Sequence, residues 1–219
     1  MISPWVKRVT ILALATMALA SLATWLVLPA DTRIPMQYDA TGAVNRYGSL
    51  VEGLILFPAI AAGLFVLFLF LARNEPRREN LQRSRPMLDW SIAGTMALLM
   101  VLHLATLGIA AGWAISITDL VSGATGIFFV ILGNFLPKTR PNFLVGVRTP
   151  WTLSSDHSWL RTHILAGRGF IGLGLLIIGA TLFTPAIAIY LIVGGSLMLV
   201  AILTMASWLY WRNDPHRHA

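Results

Sequence analysis

Residues 53–72 read G-L-I-L-F-P-A-I-A-A-G-L-F-V-L-F-L-F-L-A, twenty positions without a charge, bounded by Glu52 and Arg73. At 1.5 Å per residue a helix of this length matches the roughly 30 Å hydrocarbon core of a bilayer. Five further runs of similar length lie outward from it. Val9 to Leu28 is uncharged and closes at Pro29. Trp90 to Trp113 carries an aromatic at each end, as expected at the two membrane interfaces. The fourth span, about Ala114 to Leu136, stops at Pro137, and the fifth, about Ile164 to Phe183, is apolar after Arg168. Ala186 to Trp211 ends in Trp208, Tyr210 and Trp211 before Arg212. Spans three and four meet around Ile115, and spans five and six at Thr184-Pro185, so both pairs read as tight hairpins. Lys7 and Arg8 could open a signal peptide, but the apolar run behind them exceeds the roughly 7–15 residues of a signal h-region. The first run is expected to be a retained span. The fold expectation is an all-α polytopic membrane helix bundle of six transmembrane helices.

Composition agrees. Of 219 residues 57% are apolar and 11% charged, none is cysteine, and the formal charge is +7. A soluble domain carries about 25% charged residues, so a soluble enzyme, a disordered tail and a disulfide-stapled module are all excluded. The basic excess has a topological cause. Arg33 and Arg46 lie in the first loop, whereas the other 14 of 16 Lys and Arg fall at the termini and in the second and fourth loops. That bias places both termini in the cytoplasm. It also removes the reason to read the charge as direct nucleic-acid binding.

The chain divides into residues 1–87, with an extracytoplasmic loop at 29–52 and a basic cytoplasmic loop at 73–87, and a four-span region at 88–219 with a polar segment at 133–168. The outer loop carries Pro35 and a turn-like stretch from Asp39 to Gly42, and is expected to pack as an ordered cap. The loop from Arg73 to Met87 reads as a solvated linker. The segment from Gly133 is different: G-N-F-L-P-K-T-R-P-N-F-L-V-G-V-R-T-P-W-T-L-S-S-D-H-S-W-L-R-T-H-I-L-A-G-R-G. Its five basic residues, among them Lys138, Arg140 and Arg148, are interleaved with Asn134, Asn142, Pro141, Pro150, Trp151, Trp159 and His163. Ser154 or Ser155 is placed to cap a short helix through Trp159 and His163. Aromatics at headgroup level and arginines near anionic lipid phosphates would suit a compact element at the inner face. Lipid anchoring and partner binding are equally open for it.

Within that segment, G-N-x-x-P-K-x-x-P-N, then G-V-R-T-P-W-T-L, then W-x-x-T-H-x-x-A-G resembles the signature of the SdpI family of bacterial membrane proteins. The matching positions are Asn134, Pro137, Lys138, Pro141, Asn142, Gly146, Arg148, Thr149, Pro150, Trp151, Trp159, Thr162, His163 and Gly167. Ile34, Pro35, Gly42, Tyr47, Gly48 and Ser49 are similar to a short module of unknown function common at the N-terminus of that family. Gln37 stands where the family commonly has histidine, so no ligand or proton role is carried over to that position. The resemblance implies a multi-pass protein of the bacterial plasma membrane that confers immunity to an exported peptide toxin. For members encoded beside a small autorepressor, it also implies holding that cytoplasmic repressor at the membrane.

Chemical motifs are scarce. No H-E-x-x-H, G-x-S-x-G, Walker sequence or cysteine nucleophile occurs, His157 and His163 share no helical face, and His216 and His218 form a polar tail. No catalytic residue, metal or cofactor is expected. His103 lies mid-membrane, either as a hydrogen-bonding residue of helix packing or as a functional site. Asp119, its nearest candidate partner, is about 12 Å shallower from the turn at 1.5 Å per residue and so is expected near the outer interface, facing the loop with Asp39. Small residues provide packing surfaces: Ser122, Gly126 and Gly133 on the fourth span, Gly172 and Gly179 on the fifth. A small transporter or channel, with His103 as a proton-coupled site, is the second class of reading, although no span shows a polar stripe. A membrane-embedded enzyme is the third.

Overall fold

The computed structural model describes residues 2–215, with Pro185 by its backbone only. In chain order it contains α1 (Pro4–Val27), β1 (Arg33–Tyr38), β2 (Val44–Ser49), α2 (Leu50–Arg73), α3 (Arg78–Arg83), α4 (Arg85–Ala110) and α5 (Ile117–Phe135). A single 3₁₀ turn (Leu136–Lys138) follows, then α6 (Pro150–Leu153), α7 (Asp156–Phe183), α8 (Pro185–Tyr190), a π-helical turn (Leu191–Gly195) and α9 (Ser196–Arg212). Six helices are long and apolar enough to cross a membrane, the last being the continuous rod from α8 through α9. The fold is a mostly helical bundle with one small β-hairpin.

Three spans depart from the sequence reading, the first by starting at Pro4 rather than Val9. The third span starts earlier and ends at Ala110, leaving Trp113 outside the helix. Gly112 adopts a φ of +89°, and its N–H and that of Trp113 reach back to the carbonyls of Ile109 and Gly108 at 3.0 and 2.9 Å. This closes the last turn in the left-handed manner that glycine accepts. Residues 111–116 therefore form a real connection rather than a tight hairpin. The fifth span is likewise longer. Ser155 caps it, accepting from the Ser158 N–H at 2.9 Å, but the helix then runs 28 residues without a break to Phe183. No separate short helix holds Trp159 and His163.

The tightest packing joins α5 to α7, and glycines set it. A Cβ on Gly174 would lie 2.6 Å from the Gly126 carbonyl oxygen, and one on Gly133 would lie 2.7 Å from that of Gly167. Both helices thus present a pair of glycines seven residues apart, and their backbones meet directly. On α5 these are glycines of the expected stripe. On α7 they are Gly167 and Gly174, whereas Gly172 and Gly179 face open space. Periodicity alone marks both pairs on α7 and cannot tell which one the partner helix covers. The N-terminal half attaches through α4, which packs against both α1 and α2.

The loop at 29–52 holds the antiparallel pair β1–β2. Ile34, fully buried, sits over Gly53 with Leu50, Leu54 and Leu107, so the hairpin caps α2 and α4 as expected. Asp39 builds its turn: one carboxylate oxygen accepts from the Thr41 hydroxyl (2.6 Å), the Thr41 N–H (2.8 Å) and the Ala43 N–H (3.0 Å), with Gly42 at φ +89°. Those bonds, led by the Thr41 hydroxyl, hold the Asp39 carboxyl below the usual range. A depressed folded-state value means the unfolded turn binds protons more readily. The turn is at full strength above the ordinary aspartate value of about 3.9 and weakens as pH falls through the lower folded value. Amide exchange at Thr41 and Ala43 should accelerate over that acidic window, and Asp39→Asn should remove the pH dependence. A pH-independent exchange rate in the parent protein, after correction for intrinsic exchange, would contradict this.

Contacts along the chain establish which loops share a face. Asp89 accepts from the Ser3 N–H at 3.1 Å and from its hydroxyl. The Ser155 hydroxyl donates to Asp214 at 2.5 Å, and Arg77 donates to the Leu153 carbonyl at 3.1 Å. The beginning of α1, the end of α9, the 74–84 connection and the 136–155 segment therefore lie at one end of the bundle. The hairpin and the 111–116 connection, where Gly42 approaches Thr118, lie at the other.

Candidate functional site on the basic face

The 136–163 segment has no long helix of its own until Asp156, yet much of it is buried. Asn142, fully buried, organises the first turn. Its carboxamide oxygen accepts from the N–H groups of Leu144 (2.9 Å) and Val145 (2.8 Å), and its nitrogen donates to the carbonyls of Arg140 (2.7 Å) and Val145 (3.2 Å). One side chain thereby replaces the backbone partners that an irregular segment lacks. Trp159 on α7 lies beneath it, buried, donating through Nε1 to Thr139 Oγ1 at 3.2 Å.

His163 stacks on Trp159, ring centroids 4.1 Å apart. Its Nδ1 lies 2.8 Å from the Trp159 carbonyl and must donate to it, while Nε2 accepts the Val147 N–H at 2.9 Å. The two partners fix a neutral Nδ1–H imidazole with no lone pair left for a metal or substrate. Gly146, at φ +115°, passes so close that any Cβ there would collide with His163 Nε2 and press on the Trp159 ring. Thr149 then caps α6 in a reciprocal pair with Thr152, whose hydroxyl donates to the Val147 carbonyl at 2.9 Å. Thr149 also donates to Ser207 of α9 at 3.0 Å, so the turn is pinned to the last span.

The remaining signature residues take supporting positions. Pro137 packs on Gly167, and the Lys138 ammonium lies 4.8 Å from the centre of the Phe135 ring. The Pro141 carbonyl accepts from Asn80 at 2.8 Å, and the Arg140 N–H donates to Ser84 at 2.8 Å. Arg148 is exposed and donates to the Phe143 carbonyl. Pro150 opens α6, half-buried Trp151 lines an apolar recess with Met205 and Trp208, and Asn134 is exposed. Thr162 is fully buried, its hydroxyl without a hydrogen-bond partner.

The 73–87 region corrects the sequence reading. It is not a solvated linker: Glu75, Leu81 and Ser84 are buried against the signature segment. Glu75 accepts from the N–H groups of Arg77 and Phe143, both at 3.1 Å, and Arg77 also covers the Phe143 ring at 4.9 Å. These residues, with Ser207 and Asp214, join the candidate site and do not stand out in the sequence. Their signal was weak, because a stretch of Asn, Glu, Ser and Arg looks alike whether water or buried backbone satisfies it.

His103 is separate from this site. Fully buried, its Nε2 lies 3.0 Å from Ser21 Oγ and 3.2 Å from the Met17 carbonyl, joining α4 to α1, while Ser21 donates to the Leu54 carbonyl of α2 at 2.9 Å. Asp119 lies in the first turn of α5, below the Gly42–Thr118 contact, with one carboxylate oxygen buried and unpartnered. Pro35 pairs with exposed Tyr47 across the hairpin. Among the described residues no group of His, Asp, Glu or Cys could hold a metal ion. His216 and His218 lie outside the described residues.

Residues 138–210 match the SdpI/YfhL protein family, and residues 11–62 match a domain of unknown function, DUF1648, covering most of α1, the hairpin and the first half of α2. Over 208 residues the chain is 25% identical to the immunity protein SdpI of Bacillus subtilis (strain 168), covering 94% of this chain and 95% of that protein. No solved structure matches. The matched region takes in the pinned signature turn together with α6 to α9, and with the N-terminal module and the end-to-end similarity the chain resembles SdpI-family membrane proteins along its length, with six helices long and apolar enough to span a membrane.

Proposed function

We propose that this protein is a non-enzymatic immunity protein of the SdpI type, protecting the bacterial plasma membrane from an exported antimicrobial peptide. The observation that carries this reading is the end-to-end similarity to the Bacillus subtilis immunity protein. The chemistry of the signature segment agrees with it: its polar side chains are engaged in shaping backbone, as in His163 and Asn142, rather than poised as nucleophile or base. The bias of Lys and Arg in the sequence supports a cytoplasmic basic face, and the hairpin and the 111–116 connection would then lie on the side from which a toxin arrives. Anionic headgroups would lie against that basic face. Where a repressor gene lies beside it, the protein relays the toxin's presence by holding the repressor on the signature segment, through a shift between two arrangements of the bundle.

The test is genetic. Deletion should sensitise cells to a membrane-active peptide toxin, with complementation by the parent gene. Arg148→Ala and Trp151→Ala should fail to complement while inserting at parental levels, since Arg148 closes the signature turn and Trp151 anchors α6 at the membrane edge. If the deletion strain tolerates every such peptide as well as its parent, the immunity reading fails.

A further inference from the structure

Two adjoining cavities open on the basic face between α3 and the start of α7. One, of about 490 Å³, has Arg77, Ser154 and Asp214 in its walls, and the other, of about 410 Å³, has Arg83, Arg140 and Trp159. They share Asn80, Pro141, Asp156 and His157, and so form one polar groove. Each volume falls within the roughly 300–1,000 Å³ of small-molecule sites. The floor is held in place by the Asn80–Pro141 and Ser84–Arg140 hydrogen bonds, which bring two arginines from different loops to the same cavity.

Arg83, Arg140 and Asp156 form no ion pair among the described residues, where the ion pairs join Arg46 to Glu52 and Arg85 to Asp89. Two arginines without ion-pair partners lining one cavity suit a phosphate, whose oxygens accept the paired N–H groups of a guanidinium. A bare phosphate would also meet the Asp156 carboxylate in the same cavity, at a cost in repulsion. An amine carried two carbons from the phosphate removes that conflict by pairing with Asp156. We propose that this groove binds a phosphoethanolamine group, its phosphate on Arg83 and Arg140 and its ammonium toward Asp156. The group can arrive as the headgroup of an ethanolamine phospholipid or as free phosphoethanolamine. The groove lies beside the end of α5 and the start of α4, where the chain leaves the apolar layer, so either source reaches it.

The full chain, purified in detergent, is incubated with equimolar phosphatidylethanolamine and phosphatidylglycerol, and the retained lipid is read by native mass spectrometry. A parallel calorimetric titration uses free phosphoethanolamine. The expected result is preferential retention of the ethanolamine lipid, falling at least tenfold in an Arg83→Gln/Arg140→Gln variant. Asp156→Asn should reverse the preference toward phosphatidylglycerol, because it removes the ammonium partner and leaves the arginines. All three side chains are exposed, so the variants are expected to fold. Saturable one-to-one binding of free phosphoethanolamine, abolished by the same double substitution, identifies the soluble source and supports the same site. Equal retention of the two lipids with no response to the arginine substitutions, together with no calorimetric binding, overturns the proposal. So does an Asp156→Asn variant whose lipid preference is that of the parent.

Discussion

Replacing Gly146 with valine is expected to lower the stability of the protein by about 3 kcal/mol or more, since two independent penalties fall on one atom. The backbone there sits at φ +115°, which a β-branched residue does not adopt without strain. The new Cβ would also collide with His163 Nε2 and press on the Trp159 ring, at 3.1 and 3.2 Å from its carbons. Neither neighbour can retreat: His163 is held at both ring nitrogens, and Trp159 is held through Nε1 by Thr139. For a chain of this size that loss corresponds to a fall in thermal midpoint of roughly 6–12 °C, measurable in detergent by near-ultraviolet circular dichroism. Gly146→Ala should show a smaller fall, and His163→Ala introduced beside it should recover part of the loss. The coupling between the two sites is the sharper test. If Gly146→Ala and His163→Ala are additive, the contact does not carry the strain.

Gly174→Leu should be more disruptive still. A Cβ at that position would be 2.6 Å from a main-chain oxygen of α5 and 2.9 Å from Val130, so the two helices would have to separate along the most closely packed interface in the bundle. No hydrophobic drive brings them back together in lipid, because the acyl chains are as apolar as the helix surfaces. The expected loss is at least about 3 kcal/mol, seen as little or no monodisperse protein after extraction. Gly133→Leu at the neighbouring contact should behave alike. Gly172→Ala and Gly179→Ala on the same helix are the internal comparison: nothing lies within 4 Å of either Cβ, and alanine favours a helix over glycine by roughly 0.5–1 kcal/mol. Those two variants should be neutral or slightly stabilised. If all four substitutions have the same effect, close α5–α7 backbone contact is not what holds the bundle.

The immunity assay and these stability measurements separate two roles for the signature segment. A variant such as Arg148→Ala removes an exposed side chain that closes a turn, whereas Gly146→Val disturbs a buried stack. Loss of protection with normal stability in the first would show the segment acting as a surface. Loss of both in the second would be expected of any scaffold position.

The sequence by itself determined the six spans, the gathering of basic residues at one end, the turn at Asp39 and Gly42, and the family signature. Each depends on composition or on short-range spacing: a run of twenty apolar residues can satisfy its backbone in lipid only as a helix, and an aspartate followed by Thr41 and Gly42 folds back on its own amides. The tertiary structure decided what depends on a distant partner. It chose Gly167 and Gly174 over Gly172 and Gly179, because which face of α7 is covered is settled by α5 and not by α7. It closed α4 at Gly112, where a bond from Trp113 back to Gly108 depends on a left-handed residue that a hydropathy scale does not register. And it turned the 73–87 loop from a linker into one wall of the candidate site. Glu75 and Ser84 find their partners 68 and 56 residues away, at the N–H groups of Phe143 and Arg140, and the burial of a polar residue becomes legible only once the donor that satisfies it is in place.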